Sequence, residues 1–235
     1  MKRFIQKVKS IPLSGWVAGV FFLLLEYGMY LLGNFIARKT GTMSWAFAPK
    51  VPFIDDKIPF IGSFVIIYIY SYVFWVCGPA AVSLTGKKNF TNFCIALLAS
   101  YFVGFLFFVF MPTYIDRVAE GVFEYSERPG VIAWLLRFIY SNDGEETIGY
   151  NLFPSYHCLI SMCCYLGVRK RPEISKGYRV YSFIMTVLIC MSTVFIKQHY
   201  FLDIVGGLAV PAICFAVVNK LDPASRYCKN PISSK

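Results

Sequence analysis

Six long apolar runs dominate this 235-residue chain, at about 15–32, 58–84, 93–112, 152–168, 181–196 and 202–218. Each is near the roughly 20 residues that a helix needs to cross about 30 Å of hydrocarbon. The fourth and fifth are short, so their ends are expected near the interface. Lipid offers the backbone no hydrogen-bond partners, so only helices or closed barrels cross it. The period-two alternation of a membrane barrel is absent. Hydrophobic residues make up 57% of the chain and charged residues 15%, against about a half and about a quarter in soluble domains. The expected fold class is therefore an all-α polytopic membrane protein: one domain over residues 1–235, with six transmembrane helices.

The basic residues set an orientation. With the N-terminus cytoplasmic, the inner segments hold Lys2, Arg3, Lys7 and Lys9, then Lys87 and Lys88, then Arg169, Lys170, Arg171, Lys176 and Arg179, and finally Lys220, Arg226, Lys229 and Lys235. That is fifteen of the 23 Lys and Arg. The rest are spread over longer outer loops, so the positive-inside rule places both termini in the cytoplasm. The first run resembles a signal peptide, but no small-residue cleavage site ends it, so it reads as a retained span. A plain cytoplasmic anchor without organelle signals suits a bacterial plasma membrane.

Other classes drop out. The net charge of +10 is divided among short loops and forms no basic stripe with interleaved aromatics, which speaks against nucleic acid. Of the eight cysteines, Cys77, Cys94, Cys158, Cys163, Cys164, Cys190 and Cys214 lie in apolar runs and Cys228 lies in the basic tail. They read as small apolar fillers, since no metal-ligand spacing is present. The connection 113–151 carries Arg117, Arg128 and Arg137, and within it Trp134, Leu135, Leu136, Phe138 and Ile139 predict a short interfacial helix. Trp45, Tyr150 and Tyr200 near span ends fit an aromatic belt. Glu26, inside the first run, reads as a protonated carboxyl bonded to a neighbouring helix, with a place on a substrate path as the alternative.

Two segments carry the chemistry: Asn-Leu-Phe-Pro-Ser-Tyr-His at 151–157, and Ser-Thr-Val-Phe-Ile-Lys-Gln-His-Tyr-Phe-Leu-Asp at 192–203. Both fall at outer span ends and contain the chain's only two histidines, His157 and His199. Pro154 suits the first helical position, which predicts Ser155 and His157 in the first turn of the fourth span. Free N–H groups and the helix dipole there favour an anion. His199 and Asp203, four residues apart, share a helix face. A carboxylate on one imidazole nitrogen sets the tautomer and frees the other nitrogen for attack or proton transfer. Lys197, two residues before His199, offers positive charge. Ionisable groups at a membrane boundary are costly and point to function.

These residues resemble a known family. Pro-Ser-Tyr-His resembles the P-S-x-H motif of the type 2 phosphatidic acid phosphatase superfamily. Residues 192–203 resemble its S-R-x5-H-x3-D motif, with Thr193 in place of the arginine. The family's K-x6-R-P motif is absent, because Arg128-Pro129 would need a lysine where Gly121 stands. Pro112-Thr113 followed by Arg117 instead resembles the P-T-x3-R pattern of a divergent branch, which includes bacterial members and the sphingomyelin and inositol phosphorylceramide synthases. The resemblance implies that His199 attacks phosphorus and carries it as phosphohistidine, that Asp203 orients His199, and that His157 is the acid and base. Ser155, Arg117 and Lys197 would hold phosphoryl oxygens, with no metal and no cofactor. The partner would be a lipid phosphate or phospholipid substrate in the membrane. Two reactions fit: hydrolysis of a lipid phosphate or pyrophosphate by a phosphatase, and phospholipid headgroup transfer by a phosphotransferase. A non-catalytic carrier or scaffold is the remaining class.

Overall fold

The computed structural model describes residues 10–142 and 147–228. The basic positions Lys2, Arg3, Lys7, Lys9, Lys229 and Lys235, which entered the orientation argument, lie outside the described residues. The chain is predominantly helical. Among the described residues the α-helices are α1 (Leu13–Thr40), α2 (Pro52–Asp55), α3 (Val65–Val82), α4 (Lys87–Phe110), α5 (Phe123–Ser126), α6 (Val131–Asn142), α7 (Tyr156–Val168), α8 (Lys176–Phe195) and α9 (Phe201–Leu221). Among the described residues, five helical segments of 20 to 28 residues are long and apolar enough to cross a membrane. They contain α1, α3, α4, α8 and α9.

The fourth expected span is different. α7 has 13 residues, about 20 Å of helix. Ten of those residues are buried, because α7 packs against α3, α8 and α9. A helix sheathed by other helices meets little lipid, so its length is not set by the bilayer. Polar contacts between helices tie it in place. Trp75 Nε1 donates to Ser161 Oγ at 3.0 Å, and Thr186 Oγ1 donates to Ser161 O at 3.0 Å. Where lipid surrounds a bundle, such bonds and close packing of small residues replace the hydrophobic drive. Cys158, Cys163, Cys164 and Cys190 are buried among these helices as free thiols, in keeping with their reading as fillers.

Two glycines bring α9 against the start of α7. A Cβ on Gly206 would lie 2.5 Å from the Phe153 ring, and one on Gly207 would lie 2.7 Å from Ser155 O and from Cys158 Cβ. Ser155 N then donates to Asp203 O at 3.0 Å, so the two motif segments are joined through their backbones. Because Ser155 O cannot retreat as a flexible side chain does, Gly207→Ala is expected to cost about 1–3 kcal/mol by overpacking. Thermal unfolding of the purified protein in detergent checks this, with Gly28→Ala as the control, since nothing crowds Gly28.

The connection between α4 and α7 is more structured than the sequence suggests. β1 (Tyr114–Asp116) pairs antiparallel with β2 (Ile148–Tyr150), with Ile115 opposite Gly149. The expected short helix is present as α6 and has two apolar faces. Ala133, Leu136, Ile139 and Tyr140 are buried, and Leu136, Ile139 and Tyr140 pack in one cluster with Val65, Tyr68 and Ile196. Val131, Trp134 and Phe138 point outward. Trp45 is exposed, but Tyr200 is not. It is buried, and its hydroxyl donates to Glu120 Oε1 at 3.1 Å. A phenol with a carboxylate acceptor beside it gains more from that bond than from a place at the membrane surface.

Candidate active site

α8 ends when Lys197 takes a left-handed backbone conformation, with φ +50°. Single residues other than glycine adopt this at a cost of about 1–2 kcal/mol. The turn it makes is held from within α8: Thr193 O accepts from Gln198 N at 2.9 Å and from His199 N at 3.1 Å. Thr193, standing where the family motif has arginine, turns its hydroxyl back to Cys190 O at 2.8 Å. The chain re-enters a helix at Phe201, so His199 sits in the short connection between α8 and α9.

Asp203 lies in the first turn of α9 and is fully buried. Its Oδ2 accepts from Tyr200 N at 2.9 Å and lies 3.3 Å from His199 Nδ1. The expected contact is present, but His199 lies ahead of the helix, so the turn before α9 rather than a shared helix face brings the ring to the carboxylate. With Asp203 ionised, Nδ1 keeps its proton and Nε2 carries the lone pair.

His157 arrives from α7. Pro154 was expected as the first helical residue, but it precedes the cap instead. Ser155 is the N-cap, its side chain accepting from Cys158 N, and the helix opens at Tyr156. A serine at the cap position satisfies one of the free N–H groups at the start of the helix, so capping chemistry overrides the preference of proline for that place. His157 remains in the first turn. Its ring stacks on Tyr68 at 3.9 Å between centroids and meets Trp75 edge-on at 4.8 Å and Tyr72 at 5.7 Å. Its Nε2 is buried with no hydrogen-bond partner among the described residues. The two imidazoles face each other with centroids 6.3 Å apart.

Both histidines line one cavity of about 450 Å³, within the usual range of about 300–1,000 Å³ for ligand sites. Its wall is mostly apolar and tyrosine-rich, with Tyr30 and Phe108 from the bundle, Ile139 and Asn142 from α6, and Gln198 beside His199. Glu26 lines this cavity too.

The other expected site residues stand behind this wall. Ser155 is fully buried at its cap position. Arg117 is fully buried, with its guanidinium 4.4 Å over the Tyr140 ring and Nη2 donating to Gln198 Oε1 at 2.8 Å. Gly149 gives the guanidinium its space, since a Cβ there would lie 2.6 Å from Nη2. Lys197 points away from the cavity, donating to Asp55 O at 3.1 Å with Glu120 Oε2 at 3.7 Å. Among the described residues, no group of three His, Cys, Asp or Glu is placed to hold a metal ion. Sequence reasoning missed Gln198 and the aromatic bed of His157. Tyr68, Tyr72 and Trp75 recur at helical spacing on α3 (four residues, then three), a signal hidden among the chain's 16 tyrosines.

Comparison with known proteins agrees with the motifs. A family model described as the PAP2 superfamily matches residues 50–217. The inositol phosphorylceramide synthase catalytic subunit aur1 of Schizosaccharomyces pombe is 29% identical over 77 residues, which is 33% of this chain and 18% of that protein. The chain thus matches less than a fifth of the length of that relative. No solved structure matches.

Proposed function

Since the chain belongs to the PAP2 superfamily, whose members are phosphoric ester hydrolases or related phosphotransferases, we propose that it is a membrane lipid phosphatase working through a phosphohistidine on His199. The observation that carries this reading is the pairing of His199 with buried Asp203, 6.3 Å across the cavity from His157. Nε2 of His199 attacks phosphorus, and the bond from phosphorus to the lipid oxygen breaks. His157 gives its proton to that oxygen. A water then loses its proton to His157 and attacks the phosphohistidine, releasing phosphate and restoring both rings. Asp203 orients His199 and stabilises its charge. The start of α7, capped by Ser155, supplies N–H dipoles to the phosphoryl oxygens, and Arg117 adds positive charge from behind Gln198. Lys197 would reach phosphate only by leaving Asp55 and Glu120.

α7 serves as a sixth crossing in this reading. Both termini lie in the cytoplasm, and the site faces outside. Basic residues at the other ends of the helices (Lys87, Lys88, Arg169, Lys170, Arg171 and Lys176) support that orientation. The likeness to an inositol phosphorylceramide synthase, with Thr193 and the P-T-x3-R pattern, favours a second reading in which the acceptor is a lipid alcohol and a headgroup is transferred.

Sealed right-side-out vesicles bearing the protein separate these outcomes. A short-chain phosphatidate added outside should release phosphate without permeabilisation. Release only after permeabilisation would overturn the outward orientation. Absence of phosphate release in both states, with headgroup transfer from a phospholipid once an acceptor alcohol is added, would overturn the phosphatase reading in favour of the transferase.

A further inference from the structure

The connection that carries His199 is gripped from outside as well as from within its own helices. Asp55, from the short helix α2, accepts at two points: its backbone carbonyl takes Lys197 Nζ at 3.1 Å and its Oδ1 takes Phe201 N at 2.8 Å. Its Oδ2 takes Val51 N at 2.6 Å, so the carboxylate bridges two chain segments. Glu120, from the loop after β1, accepts from Tyr200 Oη at 3.1 Å and pairs with Lys197 at 3.7 Å. Lys50 Nζ lies 2.8 Å from both Glu120 and Asp56, which anchors Glu120 in turn. Tyr140 Oη donates to Ile196 O at 2.8 Å. Residues 196, 197, 200 and 201 are thus each held by groups far away in the sequence. The two residues between them, Gln198 and His199, are the ones that line the cavity.

We propose that Asp55 and Glu120 are positioning residues for His199: two carboxylates, one from α2 and one from the loop after β1, that fix the turn between α8 and α9 so that the imidazole faces His157. Asp55 is 2% exposed and the Glu120 side chain 7%. Acidic groups that enclosed need partners, and among the described residues their partners belong to the His199 turn or to their own anchoring segments. Lys197 is the internal counterion of this clamp. Its charge is used in holding the turn, which explains why a lysine two residues from the proposed nucleophile does not line the cavity. A displacement of about 1 Å in a reacting group can cost on the order of a hundredfold in rate, so a turn bearing a nucleophile has reason to be held at both ends.

The inference rests on His199 being the proposed nucleophile, but its test can be separated from activity. The chain has two histidines, so full-length protein labelled with ¹⁵N-histidine in detergent micelles shows two imidazoles, assigned with His157→Gln. Asp55→Asn and Glu120→Gln keep shape and remove charge. Each should shift or broaden the His199 ring signals while the His157 signals stay in place. Lys88→Ala, at the opposite end of the bundle, should move neither. With short-chain phosphatidate as substrate, kcat should fall about tenfold or more with KM within about twofold. Unmoved His199 signals in both variants overturn the clamp, as does an equal shift in Lys88→Ala. If one variant does not fold, the other decides. If the His199 signals move but the wild-type protein turns over no phosphoester, the clamp stands and the enzymatic reading falls.

Discussion

His199→Ala should abolish turnover, by roughly 10⁴-fold or more, because it removes the atom that receives the phosphoryl group. The bundle should survive. Among the described residues the imidazole makes one side-chain hydrogen bond, and Asp203 Oδ2 keeps its bond from Tyr200 N after the ring is gone. The decisive measurement is covalent labelling. Wild-type protein incubated with a ³²P-labelled lipid phosphate and quenched in alkali should retain label, since phosphohistidine survives base. His199→Ala should retain none. Label of equal amount on the variant would place the nucleophile elsewhere and remove the basis of the proposed mechanism.

Changing the other histidine should have a different signature, and the contrast is the stronger test. His157→Gln removes the proton donor and acceptor, for which a loss of about 10²–10⁴-fold is usual. The size of the loss should depend on the leaving group. An alkoxide from a lipid needs its proton, so the variant should be nearly inert on phosphatidate. Nitrophenolate does not need one. With p-nitrophenyl phosphate the variant should release about one nitrophenol per enzyme in a burst, because His199 still attacks, then slow as water waits for a base. Phosphohistidine should therefore accumulate in His157→Gln and be missing in His199→Ala. If His157→Gln shows the same fractional loss on both substrates and no burst, His157 is not the acid, and its stack against Tyr68 and Trp75 is a packing arrangement.

The site was unequally legible from the sequence. The His199–Asp203 contact was expected from helical spacing, but His199 precedes α9, so it is the turn leading into the helix that brings the ring to the carboxylate. The place of His157 in the first turn of a helix also follows from local signals, although the boundary shifted by two residues because Ser155 rather than Pro154 governs the cap. Arg117 was found by pattern, but its burial under Tyr140 and its bond to Gln198 depend on a strand pair joining residues 114–116 to 148–150. No periodicity announces strands of three residues. Asp55 and Glu120 carry no local signal at all. Their meaning lies in partners 80 and 146 residues away.

The length and spacing of the apolar runs determined that this chain is a helical membrane protein, because lipid leaves the backbone no other way to satisfy itself. The two motifs determined the chemistry to look for, because Ser155 and His157 are close neighbours along the chain, as are His199 and Asp203. Tertiary structure decided the rest. It made α7 a short helix enclosed by protein, turned Lys197 to the Asp55 carbonyl and the Glu120 carboxylate, and set the two imidazoles across one cavity. Those outcomes depend on which surfaces meet, through glycines that admit a backbone and buried charges that need partners, and surfaces far apart in sequence meet only once the bundle has formed.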